Sequence, residues 1–89
     1  MKYDGIKLIR ISYHAFEQCA ERGCSEEEVL KAITECGWQK AKKDRLECKK
    51  EFPYKQVWNG RYYVNKEVRP IFVNEDTEIV VITVYVYYS

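Results

Sequence analysis

The pattern of apolar and polar positions divides the chain into a helical first part and a strand-forming remainder, and its strongest signal comes last. Glu78 to Tyr88 is dense in β-branched and aromatic residues, with no Gly or Pro to interrupt it. The two-residue period of a strand places Val80, Ile82, Val84 and Val86 on one face and Val81, Thr83, Tyr85 and Tyr87 on the other. The first face is aliphatic and suits a core. The second carries hydroxyls, so it either packs beneath another layer or forms an open sheet surface.

Toward the N-terminus the period is helical. Residues 6–11 read as an extended lead-in. Ser12 is an N-cap for a helix from His14 to Arg22, and Gly23 closes it where left-handed backbone is needed. The expected apolar stripe is Tyr13, Phe16, Cys19 and Ala20; His14, Gln18 and Glu21 lie opposite, with Arg22 toward one edge. Ser25 starts a second helix, Glu28 completes a capping box, and the acidic side chains there suit the positive end of the helix dipole. Val29, Ala32, Ile33 and Cys36 form its apolar face, and Gly37 ends it. Two short amphipathic helices joined by Gly-Cys predict an αα-hairpin whose apolar sides need a sheet.

From Trp38 onward the pattern is that of strands. Trp38 to Lys43 predicts a first, basic strand, while 44–53 fits either a loop or a further strand. Lys55–Trp58 and Arg61–Val64 flank Asn59-Gly60, a pair suited to the type I′ hairpin turn. Residues 65–67 read as a second turn, after which Arg69–Asn74 pairs with the final strand. The expected fold is α+β, a single domain over residues 1–89. An N-terminal two-helix hairpin packs on one face of a roughly four-stranded antiparallel sheet.

Composition narrows the class. A hydrophobic content of 46% suits a globular chain rather than a disordered one. No apolar run approaches the ~18 residues of a membrane span, and the first residues lack a signal-peptide core, so a cytoplasmic protein without membrane partners is expected. The four cysteines (Cys19, Cys24, Cys36, Cys48) have none of the CxxC spacing of structural zinc, which favours reduced thiols and no metal or other cofactor. A formal net charge of +1 hides an uneven distribution. Lys40, Lys42, Lys43, Arg45, Lys49, Lys50 and Lys55 outnumber Asp44, Glu47 and Glu51 within residues 38–55. Such a segment fits binding to a short stretch of phosphate backbone, and equally an edge strand bearing lysines against aggregation.

No phosphate-binding glycine loop, nucleophile elbow or metal-binding HExxH occurs. His14 is the only histidine, so imidazole acid–base chemistry would fall to it. Metal-independent RNA cleavage needs a base for the 2′-OH, an acid for the leaving 5′-oxygen and cations for the phosphorane. His14, Arg22, Arg61, Arg69, Thr83, Tyr85 and a tyrosine at 62 or 63 are of the right types. Amphipathic sheet tyrosines and solvated arginines account for most of the same residues without any chemistry.

Ile11-Ser-x-His14-Ala, then Glu21-Arg-Gly-Cys-Ser25-Glu-Glu-Glu-Val29, then Ile79-Val-Val-Ile-Thr83-Val-Tyr85 resembles a family of small bacterial and phage proteins, the domain of unknown function numbered four-two-five-eight. The similarity runs from Ile11 to Tyr85, with Cys24 standing where the family has an aliphatic residue. That resemblance implies a RelE-like ribonuclease fold of the barnase–EndoU–colicin–RelE type. It also implies a metal-independent endoribonuclease of toxin type, acting by 2′-OH transesterification, with RNA as substrate and a cognate antitoxin as protein partner. Matched by position, its catalytic set would be His14, Arg22, Thr83 and Tyr85, with Arg61 and Arg69 aligned beside them; these two arginines, together with Lys40, Lys42 and Lys43 of the basic segment, would bind nucleic acid. The competing expectation is a non-catalytic module that binds protein or nucleic acid through an exposed aromatic and basic sheet face.

Overall fold

Chain order in the computed structural model, which describes residues 2–3 and 7–89, begins with β1 (Lys2–Tyr3), β2 (Lys7–Ile11), α1 (Tyr13–Arg22) and α2 (Glu26–Glu35). It continues through β3 (Gln39–Lys40), β4 (Leu46–Glu47), β5 (Lys50–Trp58), β6 (Arg61–Asn74) and β7 (Glu78–Tyr88). The strands form one sheet in the order β1-β2-β7-β6-β4-β3, with β5 also pairing β6. β5 and β4 succeed one another along the same edge of β6: β5 reaches Val68, and β4 takes over at Ile71 and Phe72. Pro70 sits at the changeover, where its missing N–H costs no ladder bond and its carbonyl accepts from the Cys48 N–H at 3.3 Å.

Several sequence expectations change here. The lead-in is strand β2, which pairs parallel with β7 from Leu8 opposite Glu78 to Ile11 opposite Val81. The helices therefore follow a strand rather than opening the fold, and they form no hairpin of their own: α1 lies on β7 and α2 on β6. The sheet is mixed and seven-stranded, not a four-stranded antiparallel one, so the RelE-like arrangement does not describe this chain. The pairing that the sequence conceals is the least local in the fold, and the five-residue stretch Lys7–Ile11 says nothing about a partner some seventy residues away.

Residues 65–67 do not turn; β6 runs through them. Asn65-Lys66-Glu67 has the polar composition of a turn, but Lys66 is buried and continues the inward series Lys66, Val68, Pro70 and Phe72. Its ammonium donates to the Gly23 carbonyl and to Glu28 Oε1, both at 2.9 Å, and lies 5.3 Å from the centre of the Tyr54 ring. Glu28 is also the capping-box acid that accepts from the Ser25 N–H at 3.0 Å. One lysine thus fastens the middle of the sheet to the elbow between the helices.

The core joins Ala15 and Cys19 of α1, Val29, Ala32 and Ile33 of α2, and Val68, Phe72, Ile79, Val81 and Val84 of the long strands. The predicted face of Val80, Ile82, Val84 and Val86 is broken by a bulge. Thr83 pairs with Ile71 and Val81 with Phe72, which leaves Ile82 as the extra residue. Ile79 and Val81 therefore join Val84 inside, while Ile82 and Val86 are half-buried. Of the predicted stripe on α1, Cys19 is buried, but Tyr13 and Phe16 are 77% and 54% exposed, Ala20 is exposed, and Ala15 takes their place inside. All four cysteines are free thiols; burial pushes Cys48 up to about 12.

Candidate nucleic-acid interface

β7 is the long strand that the other parts of the site surround. Beyond Val81 it has run past the end of β2, so its outer edge needs other hydrogen-bond partners. α1 supplies them. The Ser12 N–H donates to the Val81 carbonyl, Gln18 Oε1 accepts from the Val84 N–H at 2.9 Å and from the Thr83 hydroxyl, and Arg22 Nη1 donates to the Val84 carbonyl at 2.6 Å. Gln18 and Arg22 of α1 are thus turned toward the strand edge, while His14 and Glu21 are exposed.

On the face away from the buried series, Thr83, Tyr85 and Tyr87 stand opposite Ile71, Arg69 and Glu67 of β6. The Tyr85 and Tyr87 rings are stacked with centroids 6.5 Å apart. Arg22 lies 5.2 Å from the centre of the Tyr85 ring, and Arg69 lies 5.3 Å from that of Tyr87. The two guanidinium groups come from opposite sides of β7, one from α1 and one from β6. Arg69 also donates from Nη2 to Glu67 at 3.0 Å, but its Nε is buried without a partner among the described residues.

The β3–β4 hairpin flanks this face. Its turn is closed by the Arg45 N–H donating to the Lys42 carbonyl, and the central residues Lys43 and Asp44 both have positive φ, 61° and 58°. That backbone ordinarily favours Asn-Gly. Here it carries a lysine and an aspartate at a cost of order 1 kcal/mol per residue, and it holds Lys42, Lys43 and Arg45 beside the sheet.

Between turn and sheet lies an open groove of about 780 Å³. Lys40, Lys42, Lys43 and Arg45 line one side; Arg69, Ile71, Thr83, Tyr85 and Tyr87 line the other. Among the described residues, five cations meet one lining carboxylate, Glu47. A second cavity of about 400 Å³, between Cys36, Trp38 and Cys48, shares Arg69 and Glu47 with it.

The residues expected from sequence separate cleanly. Thr83, Tyr85, Arg69, Lys40, Lys42 and Lys43 come together in the groove, and Arg22 touches its rim through Tyr85. His14 does not join them: it is exposed on α1 and does not line the groove. Arg61 is also elsewhere, 5.6 Å over Tyr63 beyond the Asn59-Gly60 turn. The structure adds Arg45, Glu47 and Tyr87 to the expected set. Arg45 belongs to the same basic run as the lysines, and Tyr87 shares a strand face with Tyr85, so both carry a usable signal. Gln18 has none in the sequence, because its role depends on where β2 stops.

No protein-family model, curated protein or solved structure matches this chain. Among the described residues, no helix is long and apolar enough to cross a membrane, and no cluster of three or more His, Cys, Asp or Glu side chains is placed to hold a metal.

Proposed function

We propose that this protein binds RNA in the groove between the β3–β4 turn and the open face of β6 and β7. The observation that carries this reading is the convergence of Lys40, Lys42, Lys43, Arg45 and Arg69 on two exposed tyrosines. Cations neutralise phosphate, and aromatic faces stack on bases. Glu47 and the Thr83 hydroxyl add groups able to hydrogen-bond a ribose 2′-OH. Direct binding of labelled RNA to the full chain, with Lys42→Glu and Lys43→Glu as variants, tests it. Loss of affinity in both variants is the expected result; affinity equal to that of the unaltered chain would remove the groove from consideration.

A second reading, metal-independent RNA cleavage, is favoured by the placement of Tyr85, Thr83, Glu47 and Arg69 in the same groove. In such a reaction the ribose 2′-oxygen attacks phosphorus while the bond to the 5′-oxygen breaks, leaving a 2′,3′-cyclic phosphate and a 5′-hydroxyl. Glu47 would take the 2′-OH proton, Tyr85 would protonate the leaving oxygen, and Arg69 would face the phosphorane. This assignment gives His14 no part. From the sequence side, cleavage and an antitoxin partner rest on the likeness of the Ile11–Val29 and Ile79–Tyr85 stretches to the small bacterial and phage family, whose implied RelE-like arrangement this sheet does not have. Cleavage that persists in Glu47→Gln and Tyr85→Phe would reject the assignment.

A further inference from the structure

We infer that the groove takes RNA as a single strand, with unpaired bases stacked on Tyr85 and Tyr87 and phosphates carried by the Lys42–Arg45 turn. This rests on the RNA-binding reading and specifies the form of the ligand. Tyr85 and Tyr87 are 41% and 50% exposed, on an otherwise well-formed sheet. A duplex buries its base faces in its own stack and offers a protein little but phosphate and sugar; only an unpaired strand can use a tyrosine face.

The geometry of the rings supports stacking rather than incidental exposure. Centroids 6.5 Å apart at an interplanar angle of 27° are nearly parallel, yet wider than one van der Waals contact of about 3.5–4 Å. The rings thus leave aromatic surface that they do not use on each other. Arg22 and Arg69 hold them in place from the two sides of β7, so little side-chain freedom remains to be lost when a base arrives.

The cations are arranged to complement this floor. Lys42, Lys43 and Arg45 are fixed by a turn whose two left-handed residues are not glycine, and they border the tyrosines across the groove. Arg69 lines the tyrosine side of the same groove and adds a guanidinium beside Tyr87. A strand lying along β7 would therefore meet rings on one side and positive charge on the other.

The test compares a labelled oligouridine of roughly ten nucleotides with a blunt RNA duplex of the same length. The single strand should bind at least about tenfold more tightly, and Tyr85→Ala or Tyr87→Leu should weaken it by at least about fivefold, the low end of the loss expected for one stacked base. Tyr87→Leu retains apolar bulk, so it separates stacking from hydrophobic contact. A 2-aminopurine placed in the strand should be quenched on binding to the unaltered chain and less so with Tyr85→Ala. Equal affinity for duplex and single strand, or unaltered single-strand binding by both tyrosine variants, would overturn the inference while leaving charge-dependent RNA binding intact. Failure of the unaltered chain to bind either RNA would overturn the underlying reading as well.

Discussion

The Arg22 guanidinium lies 5.2 Å over the Tyr85 ring while its Nη1 donates to the carbonyl of the preceding residue, Val84, at 2.6 Å. One side chain thus closes the free edge of β7 and steadies an aromatic ring on the open face. Edge protection and site construction are the same contact, which makes α1 part of the groove without lining it.

Gln18 performs the companion task at the Val84 N–H. Gln18→Ala should lower stability by about 1–2 kcal/mol, because it strands a backbone donor as well as removing a hydrogen bond. Urea denaturation measures the loss. Sedimentation should in addition show weak self-association through the uncovered edge, and a variant as stable as the parent would mean that water replaces the glutamine at no cost.

Lys66 is 7% exposed and anchors both Glu28 and the Gly23 carbonyl. Lys66→Met should destabilise the fold by about 3 kcal/mol, since it leaves a carboxylate without its buried partner. Pairing it with Glu28→Gln should recover part of that loss, a coupling that a double-mutant cycle in urea would read. Strict additivity would show that the ion pair contributes nothing beyond packing.

At Gly23 the backbone has φ 84°, and an added Cβ would meet the Tyr88 hydroxyl and come within 2.8 Å of the Trp58 ring. Gly23→Ala should therefore cost at least about 2 kcal/mol, more than the ~1 kcal/mol of left-handed backbone alone. Thermal unfolding of that variant and of Gly60→Ala, where φ is 81° but no atom stands near, separates strain from collision.

Burial raises Cys48 from 9.0 to about 12. Its folded-state value lies above the unfolded one, so the stability it contributes is full below about pH 9 and is lost between about pH 9 and 12 as the unfolded thiol ionises first. Tyr88, also pushed up to about 12 by burial, acts in the same direction over the upper part of that window. Melting temperature should fall across this range, and less steeply in Cys48→Ala. Identical slopes would indicate that the thiol titrates alike in the folded and the unfolded chain.

Local signals in the sequence hold where they are self-contained. Ser12 and Ser25 cap the two helices as their spacing indicates, and Asn59-Gly60 turns with positive φ at both residues. The face of α2 formed by Val29, Ala32 and Ile33 is buried. What the sequence hides depends on distant partners. β2 has no meaning until β7 is beside it, Lys66 looks solvated until Glu28 and Gly23 enclose it, and the bulge at Ile82 is set by pairing with β6. Period-2 counting brings Thr83, Tyr85 and Tyr87 to one face because the bulge precedes them. Helical counting puts His14 and Gln18 on the same side of α1 but does not tell them apart: His14 is exposed, while Gln18 meets the free edge of β7 beyond the end of β2.

The groove's role as an RNA site is tested most directly by the salt dependence of oligouridine affinity, measured for the parent chain and for Lys42→Ala/Lys43→Ala, with His14→Ala as a control outside the groove. The double variant should bind more weakly, and its slope of log affinity against log salt should be shallower by about 0.7 for each phosphate no longer neutralised. His14→Ala should behave as the parent does. An unchanged slope and affinity in the double variant, or a loss confined to His14→Ala, would place any RNA binding away from the groove and contradict the proposal.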